Sequence, residues 1–118
     1  MEEAIVNQAS AQVVVEIRET STWITLDGDI DVSLAPELAT AVGQAEAAAL
    51  PTVVDGRRIA FMDSSGIALL ARLASRTPAP LRVVDPPEVV RFLLEVTRIG
   101  DMVEIIEGDD GDDSPTAA

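Results

Sequence analysis

The chain is predicted to fold as a single α/β domain: a mixed β-sheet that opens with an N-terminal hairpin, continues through parallel crossovers and packs with about three to four helices. Three observations carry this expectation. Two short β-branched segments near the start are separated only by turn-prone residues, and strand-like and helix-like segments alternate after them. At 118 residues, with an aromatic fraction of only 3%, the chain suits one core built from Val, Ile, Leu and Ala rather than from rings.

Residues 13–17 (Val-Val-Val-Glu-Ile) and 23–26 (Trp-Ile-Thr-Leu) read as the hairpin, joined through Glu19-Thr20-Ser21-Thr22, with Asp27-Gly28-Asp29 ending it. From Leu34 the apolar positions Leu34, Leu38, Ala41, Val42, Ala45 and Ala49 recur at helical spacing, with Ser33 as N-cap and Pro36 tolerated in the first turn. Thr52-Val53-Val54-Asp55 is a short buried strand, separated by Gly56-Arg57-Arg58 from Ile59-Ala60-Phe61-Met62.

A second helix is expected from about Gly66 to Arg76, ended by Pro78 and Pro80, and Leu81-Arg82-Val83-Val84 returns as a strand. Asp85-Pro86-Pro87-Glu88 then carries the strongest helix-start signal, an N-cap carboxylate with a capping-box glutamate. Val89, Phe92, Leu93 and Val96 share one face of that third helix, and 102–106 closes the sheet. The expected organisation is a flexible segment over 1–10, the domain over 11–106 and a disordered acidic tail over 107–118, where almost nothing apolar offsets the entropy of ordering.

Composition excludes much. The net charge of −13 opposes nucleic-acid binding, which needs clustered cations to release counterions. All eight basic residues are Arg, so lysine chemistry is absent; without His or Cys there are no His/Cys zinc sites, no thiol nucleophiles and no His-dependent triads. Nothing resembles a signal peptide, and the most apolar run is broken by Arg72, so membrane insertion is not expected and a cytoplasmic location is. Asp27, Asp29 and Asp31 alternate as a calcium loop begins, but its sixth and twelfth positions would fall on Val32 and Leu38, so no metal or other cofactor is expected.

The remaining polar chemistry concentrates at Asp63-Ser64-Ser65-Gly66, between two strongly apolar segments. Helix capping explains such residues; a phosphate acceptor placed at a helix entrance explains them too, because free N–H groups and the helix dipole favour an anion there. Spacing leaves both readings open.

Over residues 11–106 the chain resembles the STAS family, and within it the stand-alone anti-sigma-factor antagonists of bacteria, of the sporulation and stress-response type. The resemblance rests on Leu26-Asp27-Gly28-Asp29-Ile30-Asp31, on Ala35-Pro36-Glu37-Leu38, on the placing of Asp55 eight positions before Asp63, and above all on Phe61-Met62-Asp63-Ser64-Ser65-Gly66. It implies a non-enzymatic regulator whose Ser64 (alternatively Ser65) is phosphorylated by a partner serine kinase. That kinase is also the anti-sigma factor; the unphosphorylated antagonist binds it and frees the sigma factor, and a phosphoserine phosphatase resets the cycle. Asp29, Asp31, Asp63 and Gly66 become the expected partner contacts.

Two departures from the family pattern stand out: Thr97-Arg98-Ile99-Gly100 replaces its usual Gly-Leu after the third helix, and Gly56-Arg57-Arg58 is either a solvated turn or a partner contact. Two other functions compete. One keeps the fold and drops the switch, giving a STAS scaffold subunit of a signalling or transport complex. The other is a magnesium-dependent nucleotide hydrolase, against which stands the lack of lysine and of any glycine-rich phosphate loop.

Overall fold

The computed structural model describes residues 11–108; the segment expected to be flexible at 1–10, and all but the first two residues of the tail expected to be disordered at 107–118, lie outside the described residues. Five strands form one sheet in the order β1-β2-β3-β4-β5, namely β1 Ala11–Ile17, β2 Thr22–Ile30, β3 Thr52–Met62, β4 Leu81–Val84 and β5 Val103–Ile106. β1 and β2 pair antiparallel as the expected hairpin, and the other three pairings are parallel. The helices α1 Ala35–Ala48, α2 Ser64–Arg76 and α3 Glu88–Val96 are the crossovers. All three step in the same direction along the sheet, so right-handed connections place them on one face.

Burial agrees. Ile24, Leu26, Val54, Leu81 and Val83 share one core with Leu38, Val42, Leu70, Leu73, Val90 and Leu94 from the three helices. The opposite face holds a small cluster of Trp23, Val53 and Val84 with Ile106 beside it. Charged side chains cover it: the Arg18 guanidinium lies 4.3 Å from the Trp23 ring, and Arg82 pairs with Glu104 at 3.2 Å. Among the described residues no helix is long and apolar enough to cross a membrane.

Four local expectations are corrected. Asp27-Gly28-Asp29 holds the last described hairpin pair, Ala11 with Gly28, but does not end the strand; β2 runs through to Ile30, because Gly28 takes φ 92° and the strand keeps its parallel partner past that point. Nor does a turn interrupt β3 at Gly56-Arg57-Arg58. The whole of Thr52–Met62 is one strand, in which register shifts absorb extra residues and Arg57 chelates Asp55 through bonds of 3.1 and 2.9 Å. Burial alone would raise the Asp55 carboxyl, but hydrogen bonds from Arg57 and the charges of Arg57 and Arg58 outweigh it and hold the group below its ordinary range.

The third correction concerns caps. Ser33 does not cap α1; it lies in a 3₁₀ turn, Val32–Leu34, that Asp31 caps, and the helix N-cap is Leu34. Asp85 does not cap α3 either. Pro86 and Pro87 have no N–H to offer its carboxylate, so the helix begins at Glu88 without a side-chain cap, and Asp85 instead approaches Arg91 at 3.6 Å. Fourth, the inward face of α3 is Val90 and Leu94, with Val89 and Leu93 half-buried, whereas Phe92 and Val96 point to solvent. The first residue of the expected tail, Glu107, is tied to Arg91 at 3.1 Å.

Candidate functional site at the entrance of α2

The parallel strands β2 and β3 end side by side, with Asp29 opposite Phe61 and Ile30 opposite Met62. Carboxyl ends of parallel strands are where α/β sheets leave room for recognition. The two ends are locked by a bond from the Asp63 amide to the Ile30 carbonyl, 3.2 Å. This brings the segment Asp29–Asp31 and the segment Asp63–Gly66 to one rim of the molecule.

Asp63 is the N-cap of α2. Its backbone is extended (φ −111°) and its carboxylate accepts from the Ser65 amide at 2.7 Å. The Asp63 carbonyl accepts from the amides of Gly66 and Ile67, at 3.1 and 3.2 Å. Three of the first four N–H groups are thereby satisfied, and only that of Ser64 is left without a partner among the described residues. The helix entrance thus offers a phosphate less than the sequence suggested: one free donor, beside a carboxylate already in place.

Ser64 is the first helical residue and its side chain is exposed; Ser65 is half-buried one position further in. Gly66, expected as a partner contact, is buried. A Cβ there would lie 2.5 Å from Cγ and 2.9 Å from Sδ and Cε of Met62, itself 1% exposed, so its contribution is the close approach of α2 to the end of β3. Asp31 caps the 3₁₀ turn, accepting from the Ser33 hydroxyl at 2.6 Å and the Ser33 amide at 3.0 Å. Those two bonds, the hydroxyl's first, hold its carboxyl below the ordinary range. Asp29 is exposed at the end of β2.

Sequence reasoning missed the apolar members of this rim. Ile59 and Met62 both turn inward although three positions apart, which a period of two forbids; the register shift beside Asp29 supplies the extra residue and leaves Phe61 turned outward, 47% exposed. Val32, in the 3₁₀ turn, is 69% exposed. Ser64 and Ser65 also stand at the mouth of an open groove of about 440 Å³ between α1 and α2, walled by Ala35, Ala39, Ala68 and Arg72. No pattern in the sequence announced that Phe61, although part of the motif, turns outward, whereas Arg72 was visible as the charge interrupting an apolar run.

A five-stranded sheet with one antiparallel edge pair, helices on a single face and an Asp-Ser-Ser-Gly helix entrance at the strand ends define a STAS domain. The family model described as "Mlab, STAS domain" matches residues 13–105, and the chain belongs to that family. Among solved structures it is similar to an anti-sigma factor antagonist from Mycobacterium paratuberculosis, with TM-score 0.74, 24% identity and coverage of 86% of this chain and 90% of the other. It is also similar to the anti-sigma factor antagonist SpoIIAA in its unphosphorylated form (TM-score 0.65, 18% identity, 86% and 93% covered). The phosphorylated form of SpoIIAA, a Bacillus cell fate determinant, gives TM-score 0.60 at 20% identity, with 92% and 100% covered. At these identities the likeness shows a common fold. No curated protein sequence matches the chain.

Proposed function

We propose that the protein is a cytoplasmic anti-sigma-factor antagonist, itself without catalytic activity, whose unphosphorylated form binds an anti-sigma-factor serine kinase and releases the sigma factor. Phosphorylation of Ser64 switches this binding off, and a phosphoserine phosphatase restores it. The observation that carries the reading is the exposed hydroxyl of Ser64 on the first residue of a helix capped by Asp63, at the rim where the ends of β2 and β3 meet. Ser65, half-buried and with its amide held by Asp63, is the weaker acceptor.

In the transfer step the Ser64 oxygen attacks the terminal phosphorus of ATP, ADP leaves, and the hydroxyl proton passes to a base of the kinase, which also supplies the magnesium ion. This chain contributes position. Asp63 fixes the start of α2 and therefore the direction of the Ser64 side chain, Gly66 lets that start lie against the strand end, and Asp29, Asp31 and Asp63 present an acidic rim to basic groups of the partner.

The switch follows from the same geometry. A phosphoserine adds about −1.5 to −2 charges at neutral pH. With one free amide and the Asp63 carboxylate beside it, that charge is not drawn into the helix entrance and projects into the partner surface instead. Weakening the complex a thousandfold requires only about 4 kcal/mol, within the range of a buried clash plus an uncompensated charge.

A second reading, a non-switching STAS scaffold subunit, is favoured by the fact that capping by Asp63 and close packing at Gly66 account for those two residues without a partner. Incubation with the kinase and ATP separates the two. One phosphate located on Ser64 by peptide mapping, and lost in Ser64→Ala, is the expected result; a Ser64→Ala protein still fully labelled overturns the assignment.

A further inference from the structure

The groove between α1 and α2 differs in charge from the rest of this surface. In a chain with 21 acidic residues, none of the side chains lining it is acidic. Ser65, Ala68 and Arg72 form one stripe at positions i, i+3 and i+7 of α2, and the two alanines Ala39 and Ala68 leave the space over that stripe open. Arg72 is exposed and, with Arg98, lacks an ion pair among the described residues; its helical neighbours three and four positions away are Ala68, Leu69, Ser75 and Arg76, so no acid on its own helix can reach it. Arg76, one turn on, is held by Glu46 at 3.8 Å. Arg98 by contrast shares its hollow with Glu95 and Asp101.

We propose that this groove is a second half of the kinase-docking surface, and that it receives an acidic side chain of the kinase against Arg72, with an apolar side chain lying over Ala39 and Ala68. The proposal rests on the function assigned above. Charge complementarity selects the occupant: the rim at Asp29, Asp31 and Asp63 takes a basic group, and the unpaired guanidinium takes a carboxylate. Ser64 and Arg72 stand eight positions apart on the helix, a rise of roughly 12 Å. The pair of opposite charges at that spacing gives the surface a polarity, so the kinase segment can lie along α2 in one direction only, which brings its catalytic centre to Ser64. A guanidinium at this point acts as a positioning group with no part in the chemistry.

The test uses the full chain and the kinase that labels it. Calorimetric titration should show Arg72→Glu weakening the complex by about thirtyfold or more while Arg98→Glu stays within about twofold. When surface carboxylates of the kinase are replaced one at a time by arginine, one such replacement should restore at least about tenfold of the loss for Arg72→Glu. In labelling kinetics Arg72→Glu should raise KM and leave kcat within about twofold, because the pairing is uniform across ground and transition states. If Ser64 is labelled but Arg72→Glu binds as tightly as the unaltered protein, this inference fails and the function stands. If the kinase does not label Ser64, the function fails, and this inference with it. Loss of self-association in Arg72→Glu, or recovery of its binding defect on removing residues 109–118, would assign the groove to a second copy or to the chain's own acidic end and overturn the partner assignment.

Discussion

The entrances of α2 and α3 begin alike, with an aspartate placed shortly before a helix and after an apolar strand, yet the two aspartates do opposite things. Asp63 is extended, caps α2 through the Ser65 amide and leaves the next hydroxyl in solvent. Asp85 takes φ 47° and faces Arg91, whose Nε donates to the Pro86 carbonyl at 2.9 Å and whose guanidinium grips Glu107. These contacts keep Arg91 more firmly protonated than usual, chiefly through the Glu107 hydrogen bond. The difference comes from the residues that follow each aspartate: serines carry the N–H a cap requires, and prolines do not. One entrance is closed by its own ion pairs. The other holds its geometry with a single carboxylate and keeps a nucleophilic oxygen available, which is what a modifiable docking site needs.

A negative charge at the open entrance should have the largest effect: Ser64→Asp is expected to weaken kinase binding by about a hundredfold or more, whereas Glu88→Gln at the closed entrance should leave it within about twofold, both read by calorimetry. Next is the packing beneath the open entrance. Gly66→Ala should lower stability in urea by roughly 1–3 kcal/mol, because the whole Met62 side chain must move within the core, and adding Met62→Val should recover part of that loss.

The capping contrast itself is smaller. Asp63→Ala should cost about 1 kcal/mol, the usual value of a lost N-cap, and Asp85→Asn less than about 0.5 kcal/mol, since it removes only a surface ion pair and keeps a side chain that tolerates the φ of 47°. Equal costs would mean that the two entrances are not energetically different. Smallest is a pH effect on β3. The Asp55 carboxyl is depressed in the folded state, so its contribution is present above the unfolded value of 3.8 and is lost as pH falls through the lower folded value. The stability of the unaltered protein over Asp55→Asn should therefore be constant from pH 7 to about 5 and disappear as the solution is acidified below the ordinary aspartate range.

Periodicity and turn chemistry were enough for the order of elements, the mixed sheet and the main core, though not for the small second cluster of Trp23, Val53 and Val84, because Val13 to Ile17, Val53-Val54 and Leu81 to Val84 are apolar in ways that admit little else. What escaped was tertiary. The continuity of β3 through Gly56-Arg57-Arg58 depends on bulges and on Asp55 pairing with Arg57, neither of which a hydrophobic pattern records. Phe92 and Val96 shared a plausible face with Val89 and Leu93, but the sheet selects Val90 and Leu94 instead. At the site, Ser64 and Asp63 were legible through the motif they form, Gly66 was legible in place but not in role, and Phe61 became visible only once the register shift turned it outward.

The central claim, that the α2 entrance is an interface whose occupancy Ser64 controls, is tested most directly by measuring one dissociation constant twice. The kinase is titrated with the unmodified protein and with the same protein carrying one phosphate on Ser64, in the same buffer and with a non-hydrolysable ATP analogue. The phosphorylated form should bind at least about a hundredfold more weakly, with its fold unchanged by circular dichroism. Equal affinity of the two forms would contradict it.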